Sequence, residues 1–291
     1  MLLQQIINGL ALGMVYALVA VGFSLVFGIL RLVNFSHSAV YAFGAHLTLL
    51  FIGLAFGPVP AVLMAVLITG VLGVVIDKVA LAPLRKKQSI PIAGLITTIG
   101  ISYVIQNVLT IVWGSGRRSF PQLFTFSSFE LFGVMITAAQ LLMFVISLVL
   151  MVVLTWLIGY TKIGLAMRSL EQNPKAAALM GIPVNRVITF TFFLAGATAA
   201  IAGALVSGLY HIIYPTMGAA IGIKAFSATV LGGVGSLPGA FVGGIVVGLS
   251  EAMAVTFLGA AYRDVISFVI LILVLIIRPA GLFGRKIVVK V

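Results

Sequence analysis

Apolar runs recur along this chain, each parted from the next by a short polar or glycine-rich interruption. Each run is close to the length of about 20 residues that an α-helix needs to cross a bilayer core. The first, Ile6 to Leu30, holds no charged residue, and others follow at 38–56, 60–80, 92–113, 134–158, 184–209, 240–258 and 264–278. A weakly polar, glycine-rich stretch at 218–239 adds either another crossing or a re-entrant element. The pattern predicts an all-α, polytopic membrane protein with about eight or nine transmembrane helices, some interrupted, in a single transmembrane domain over residues 1–291.

Composition agrees with that pattern. Of the 291 residues, 62% are hydrophobic and 8% charged, where soluble domains are about a quarter charged. There is no Cys, which excludes disulfides and thiolate metal sites. The three His lack the spacing of metal ligands. Met1 to Gln5 carries no Lys or Arg, so the first segment is expected as a retained helix rather than a secretory signal.

The net charge of +12 bears on orientation. Arg31, Lys78, Arg85, Lys86, Lys87, Lys162, Arg168, Lys175, Arg186, Arg278, Arg285, Lys286 and Lys290 make 13 of the 17 basic residues. All fall on one side if the spans alternate from an outside N-terminus and 218–239 counts as a crossing. The positive-inside rule makes that side cytoplasmic. Arg117, Arg118, Lys224 and Arg263 fall outside or within the membrane. No basic face exists apart from these spans, which argues against nucleic acid as a partner.

The longest external segment, 114–133, carries Phe120, Phe124, Phe126 and Phe129 after Trp113. Two readings stand: an interfacial aromatic belt, or a docking surface for an external partner. Gly239 with Gly243, Gly244 with Gly248, and the row Ala195, Ala199, Gly203 give small residues at four-residue spacing. In lipid such rows let helix backbones approach closely.

Catalysis finds little support. None of Asp77, Glu130, Glu171, Glu251 and Asp264 is paired with a His at helical spacing, and no HExxH or GxSxG motif occurs. The run Gly232 to Gly239 lacks the Gly-Lys-Ser/Thr ending of a phosphate loop, so no nucleotide site is expected in this chain.

Two places break the helical pattern within apolar sequence. The first, Arg31 to Ser38, contains Asn34 and Ser36, residue types that open helices. It reads as a cytoplasmic turn or as a half-helix start. The second runs from Pro215 to Pro238. Irregular backbone at membrane depth survives where it is buried in protein or lines water, and half-helix N-termini there can hold a carboxylate. Candidate translocation-path residues are therefore Asn34, Ser36, Lys224, Gly232, Gly233, Gly235, Ser236 and Glu251. Glu251 is the most deeply embedded acid, a functional hypothesis in a membrane segment beside a structural one. Lys224 neutralises it only if the broken element folds back beside its span. His37 and His211 read as hydrogen-bonded loop residues.

A cytoplasmic stretch over about 160–183 is long for a compact membrane protein, and long loops are usually functional. Asn173 and Pro174 fit an N-cap and first-turn pair for a short helix through Met180, with Gly181 as its stop.

Lys175-Ala176-Ala177-Ala178-Leu179-Met180-Gly181 resembles the Glu-Ala-Ala-x-x-x-Gly coupling loop of ABC importer permeases, with Lys175 standing in place of Glu. Three other stretches join it. They are Val33 to His37 with Tyr41, Gly44 and Ala45; Lys224 to Phe226 with Leu231 to Ala240; and Tyr262 to Asp264 with Arg278 to Gly284. In this order, and across nearly the whole length, they resemble the LivH-type permease of branched-chain amino acid ABC transporters.

The resemblance implies the ABC importer permease fold in a bacterial inner (plasma) membrane, in contact with membrane lipid. It implies import of Leu, Ile and Val by alternating access, or of urea, short amides or other amino acids in related permeases. It implies a second, related permease subunit, two cytoplasmic ABC ATPase subunits that bind ATP and Mg²⁺, and a periplasmic or lipid-anchored substrate-binding protein. Lys175 through Gly181 would contact the ATPases. Reading the residues alone, a stand-alone ion-coupled secondary transporter stays open, since broken helices near the midplane suit it. An integral-membrane enzyme lacks an acid–base or metal constellation, and one chain shows no ring of like charges for a channel.

Overall fold

A computed structural model describes residues 2–87, 90–123, 128–131 and 133–284. Helices make up most of the described residues, as the apolar runs predict. In order come α1 (Leu2–Leu30), α2 (Ser36–Gly53), α3 (Pro58–Ile76), α4 (Ala82–Lys86), α5 (Pro91–Trp113), α6 (Ala138–Tyr160), α7 (Lys162–Gln172), α8 (Pro174–Leu179), α9 (Val184–Tyr210), α10 (Met217–Gly232), α11 (Leu237–Leu258) and α12 (Arg263–Ile277). One π-helical stretch, Asp77–Leu81, joins α3 to α4 without ending the helix. Two small antiparallel ribbons decorate the connections: β1 (Arg118–Ser119) with β4 (Ile212–Ile213), and β2 (Phe129–Leu131) with β3 (Val134–Ile136). The second ribbon moves the start of the expected 134–158 span to Ala138, where Thr137 and Gln140 form a capping box.

Seven helical stretches among the described residues are long and apolar enough to cross a membrane. Two further helices join them. α2 is lowered in apolarity by Ser36, His37, Ser38, His46 and Thr48, all buried in protein rather than facing lipid. α10 has 16 residues, about 24 Å at 1.5 Å per residue, short of a full bilayer core. Counted with the seven, α2 and α10 give nine helices among the described residues, in keeping with the expected eight or nine.

Glycine contacts fix the directions. Gly9 meets Ala252, Gly13 meets Ile245 and Gly248, and Gly28 meets Gly235, so α1 and α11 run antiparallel. Gly232 meets Gly239, and Gly243 meets Ala228, so α10 and α11 do too. The two glycine pairs seen in the sequence thus serve opposite faces of one helix. Gly239 and Gly243 receive α10, while Gly244 and Gly248 receive Ala17 and Gly13 of α1. Gly203, last of the small-residue row, receives Tyr41 and Ala45 of α2.

Burial sorts the helices. The apolar window of α1 is 83% buried and that of α9 is 78% buried, whereas those of α6 and α12 are 17% and 6% buried. α1 and α9 therefore form the centre, and α6 and α12 present Leu, Ile and Val outward, as lipid contact requires. Arg31 Nη2 donates to the Glu171 carbonyl at 3.2 Å, Leu32 packs on Gly94, and Thr189 bonds Asp77. These contacts gather the ends that carry most basic residues at one pole of the bundle, the cytoplasmic pole by the positive-inside rule.

Candidate functional site

Both expected breaks exist, with Asn34 buried in the first and Gly233 in the second, while Val234, Gly235 and Ser236 are half-buried. At the first, α1 ends at Leu30 and the chain turns through Arg31, whose φ is 50°. Residues 31–35 then climb back into the bundle, so α2 begins deep inside it with His37 beside Gly22 of α1. The reading as a cytoplasmic turn thus fails, because Asn34 and Ser36 are buried. Asn34 Oδ1 accepts from the Ser36 amide at 3.2 Å and from Ser36 Oγ at 2.6 Å. The Phe35 amide donates to Thr98 Oγ1 at 3.2 Å. These first-turn donors are spent inside the protein, which is how non-helical backbone is tolerated at that depth.

The second break is confined to Gly233–Ser236, between α10 and α11. Ser236 caps α11 by accepting from the Gly239 amide at 3.2 Å. Gly233 has φ of 107°, a conformation that glycine alone adopts at little cost. The last carbonyls of α10 find partners far along the chain: the Leu282 amide donates to Leu231 O at 2.8 Å, and that of Phe283 to Gly232 O at 2.9 Å. The Leu231–Ala240 and Arg278–Gly284 stretches, separate in sequence, therefore form one structure. Close approach of Gly281 and Gly284 to Gly233 makes it possible.

Lys224 does fold back beside Glu251. Its Nζ lies 3.0 Å from Glu251 Oε1 and 2.8 Å from Asp264 Oδ1. Tyr16 donates its hydroxyl to Glu251 Oε2 at 2.7 Å, and Arg263 Nε reaches Oε1 at 3.2 Å. Glu251 thereby links α1, α10, α11 and the start of α12. These buried charges are tolerable because each is paired and hydrogen-bonded.

The cluster floors a cavity of about 430 Å³ whose wall also includes Arg117, Tyr210 and Tyr214. A second cavity of about 560 Å³ shares Tyr210, Glu251 and Arg263 and continues past Asn8, Gln122 and Gln140. Both lie toward the pole opposite the basic one. The candidate path residues thus separate into two groups. Lys224 and Glu251 sit under the external cavity, while Gly232, Gly233, Gly235 and Ser236 lie toward the cytoplasmic end, where Gly235 touches Gly28. Asn34 and Ser36 line neither cavity.

Sequence reasoning missed Tyr16, Arg117 and Arg263 as members of this site. A signal was present. Of the four basic residues that depart from the inside cluster, three, Arg117, Lys224 and Arg263, line the one cavity.

At the cytoplasmic pole the expected loop at 160–183 is two helices. Thr161 caps α7 by accepting from the Gly164 amide, and Arg168 Nη1 bonds the Ile158 and Gly159 carbonyls at the end of α6. Asn173 Oδ1 accepts from the Lys175 and Ala176 amides at 3.0 and 3.1 Å, opening α8 as its residue type predicted. Gly181, φ 82°, ends it, and the Ile182 amide closes onto Ala177 O at 3.1 Å. Leu179 is 90% and Met180 83% exposed, whereas Ala177 is buried. The three alanines are therefore not one exposed face: Ala177 packs inward, and Lys175, Ala176, Ala178 and Gly181 remain outside with Leu179 and Met180.

Two other expectations change. Phe120 belongs to neither an interfacial belt nor a docking surface: it is 1% exposed, and its amide donates to His211 O at 3.0 Å, pinning the external segment to the end of α9. Phe124 and Phe126 lie outside the described residues, as does the side chain of Phe129. His37 is a buried first-turn residue of α2 with its ring edge to Phe23 at 4.9 Å, rather than a loop residue.

Comparison with known proteins gives this architecture its relatives. Residues 5–275 match the family model described as branched-chain amino acid transport system, permease component. The high-affinity branched-chain amino acid transport system permease protein LivH of Salmonella typhimurium is 38% identical over 99% of this chain and 97% of its own. BraD of Pseudomonas aeruginosa, a permease protein of the same description, is 39% identical over 99% and 98%. A probable LivH of Methanocaldococcus jannaschii is 30% identical over 92% and 88%. The helical bundle, multi-pass in the bacterial inner membrane, thus belongs to the family of branched-chain amino acid transport permease components.

Proposed function

We propose that this chain is one permease half of an ATP-binding cassette importer for branched-chain amino acids. Near-full-length likeness to permeases named for that transport carries the reading. Its energy would come from ATP and Mg²⁺ bound by two partner ATPase subunits at the cytoplasmic pole. A rigid element must transmit their closure, and α8 has the required form: capped at both ends, short, and carrying exposed Leu179 and Met180. An apolar knob of this kind suits a groove on another protein. A second, related permease subunit would complete the pathway, and a periplasmic or lipid-anchored binding protein would deliver substrate to the external cavities. The chain itself performs no chemistry in this reading.

The test is uptake of labelled leucine into vesicles holding the permease pair and ATPases, with ATP in the compartment of the ATPases and the binding protein opposite. ATP-dependent and binding-protein-dependent accumulation, competed by isoleucine and valine, is expected. Competition by urea or short amides alone would move the substrate assignment within the family. Accumulation by this chain alone under an ion gradient would replace the reading with a secondary transporter.

A further inference from the structure

We propose that the external cavity over Tyr16, Lys224, Glu251 and Arg263 is a carboxylate-binding subsite for a small aliphatic substrate. The inference rests on the proposed function for the identity of that substrate, and on the cavity for everything else.

Charge is the first observation. Arg117, Lys224 and Arg263 line the wall against one acid, Glu251. Asp264 joins by pairing with Lys224 from the more exposed side. Three cations therefore face two carboxylates, and one positive charge is left for a ligand to balance. Glu251 already holds Tyr16, Lys224 and Arg263, so the cationic surplus falls to the guanidinium groups above it. Arg117 stands 5.6 Å from the Tyr214 ring centroid, and among the described residues no carboxylate lies within ion-pair distance of it. Arginine presents several donors in a planar fork that matches a carboxylate, and it stays charged throughout the physiological range.

Position is the second. Cations are disfavoured on the external side of a bundle whose orientation follows the positive-inside rule. The exceptions here converge on one cavity rather than scattering, and only Arg118, held in β1, stands apart. A shared ligand accounts for that convergence.

Shape is the third. The same cavity is also lined by Leu12, Val15, Val206, Met217 and Ile221. A site lined by both cationic and aliphatic side chains fits a molecule with a carboxylate at one end and a branched hydrocarbon at the other. A volume of about 430 Å³ lies within the range of about 300–1,000 Å³ usual for small-ligand sites. Tyr210 and Tyr214 add hydroxyls beside the arginines, and the larger cavity leads from the Glu251 and Arg263 end toward external residues.

The test uses the complete permease–ATPase complex in lipid nanodiscs without binding protein, probed by saturation-transfer NMR. Three probes separate the chemistry: leucine, isocaproate, which lacks the ammonium, and isoamylamine, which lacks the carboxylate. Leucine and isocaproate should receive saturation and isoamylamine should not. R117Q and R263Q should each weaken isocaproate binding about tenfold, with R263K retaining most of it. Among the described residues Arg117 makes no ion pair, so R117Q tests the site even if R263Q fails to fold. Equal transfer to isoamylamine, or unchanged isocaproate affinity in R117Q, overturns the proposal. Leucine uptake by the same complex with its binding protein is the independent arm. Uptake without arginine-dependent carboxylate binding overturns the subsite and leaves the function. Arginine-dependent carboxylate binding without uptake of a branched-chain amino acid supports the subsite and removes the substrate assignment.

Discussion

Lys224 on α10 and Glu251 on α11 meet at 3.0 Å across two antiparallel helices that the break at Gly233 joins. Their side chains are 9% and 1% exposed, so each would be a costly lone charge. The two are not equivalent. Glu251 is held from α1, α10 and α12, whereas Lys224 keeps Asp264 when Glu251 is lost. Glu251→Leu should cost about 3 kcal/mol, because it removes at once the acceptor shared by Tyr16, Lys224 and Arg263. Lys224→Met should cost less, since Arg263 and Tyr16 still satisfy the carboxylate. The double variant should recover much of the loss. Thermal unfolding in a fixed detergent measures all three, and a larger loss for Lys224→Met than for Glu251→Leu would contradict this hierarchy.

Helix packing offers a sharper contrast. A Cβ at Gly248 would overlap the Gly13 backbone of α1, whereas one at Gly100 of α5 would meet nothing within 4 Å. Gly248→Ala should therefore destabilise the bundle by about 1–3 kcal/mol through overpacking. Gly100→Ala should be neutral or slightly stabilising, as alanine favours a helix interior. Equal effects of the two, read from unfolding temperature, would mean that the α1–α11 contact is not as close as described.

Much of this was legible in the sequence. Asn173 announced α8 because a cap needs only local chemistry, and glycines bracketing Ser236 announced the second break for the same reason. The rest depends on partners distant in sequence. Asn34 and Ser36 look alike in a surface turn and in a buried half-helix start; only Thr98, Gly22 and the α10 glycines distinguish them. An alanine triplet carries no amphipathic pattern, so the inward turn of Ala177 was invisible. Phe120 read as interfacial because aromatic composition does not reveal that β1 is tied to β4. The Tyr262–Asp264 stretch was noticed, yet its link to Glu251 needs α11 and α12 side by side.

The C-terminal segment closes α10 through its backbone. Leu282 and Phe283 donate amides to the Leu231 and Gly232 carbonyls, while the Leu282 side chain is 43% exposed. Leu282→Pro removes the donor and should cost about 1–3 kcal/mol, the penalty for leaving a buried acceptor unsatisfied. Leu282→Ala keeps the donor and should cost far less. Proteolytic susceptibility of the purified protein at the α10–α11 junction should rise in the first variant alone. If both behave alike, the side chain rather than the amide secures this cap.

Transmission of ATPase closure places opposite demands on neighbouring residues of α8. A coupling element needs an inner face fixed to the permease and an outer face free for the partner. Ala177 supplies the first: it is buried, and its carbonyl receives the Ile182 amide. Leu179 and Met180, exposed by 90% and 83%, supply the second. A bulky charge at Ala177 is therefore a poor probe of coupling, even though the helix lies outside the bilayer. Ala177→Glu should destabilise the α8–α9 region by about 1–3 kcal/mol through overpacking and an unpaired charge. Leu179→Asp and Met180→Asp should change stability by less than about 0.5 kcal/mol, as solvent-exposed substitutions usually do. They should nevertheless reduce recovery of the ATPases with the permease, or leave ATP hydrolysis running without uptake. Co-purification, hydrolysis and transport measured on one preparation separate these effects. If the Leu179→Asp, Met180→Asp double variant assembles and transports at the original rate, the force of ATP closure enters this protein elsewhere than at α8.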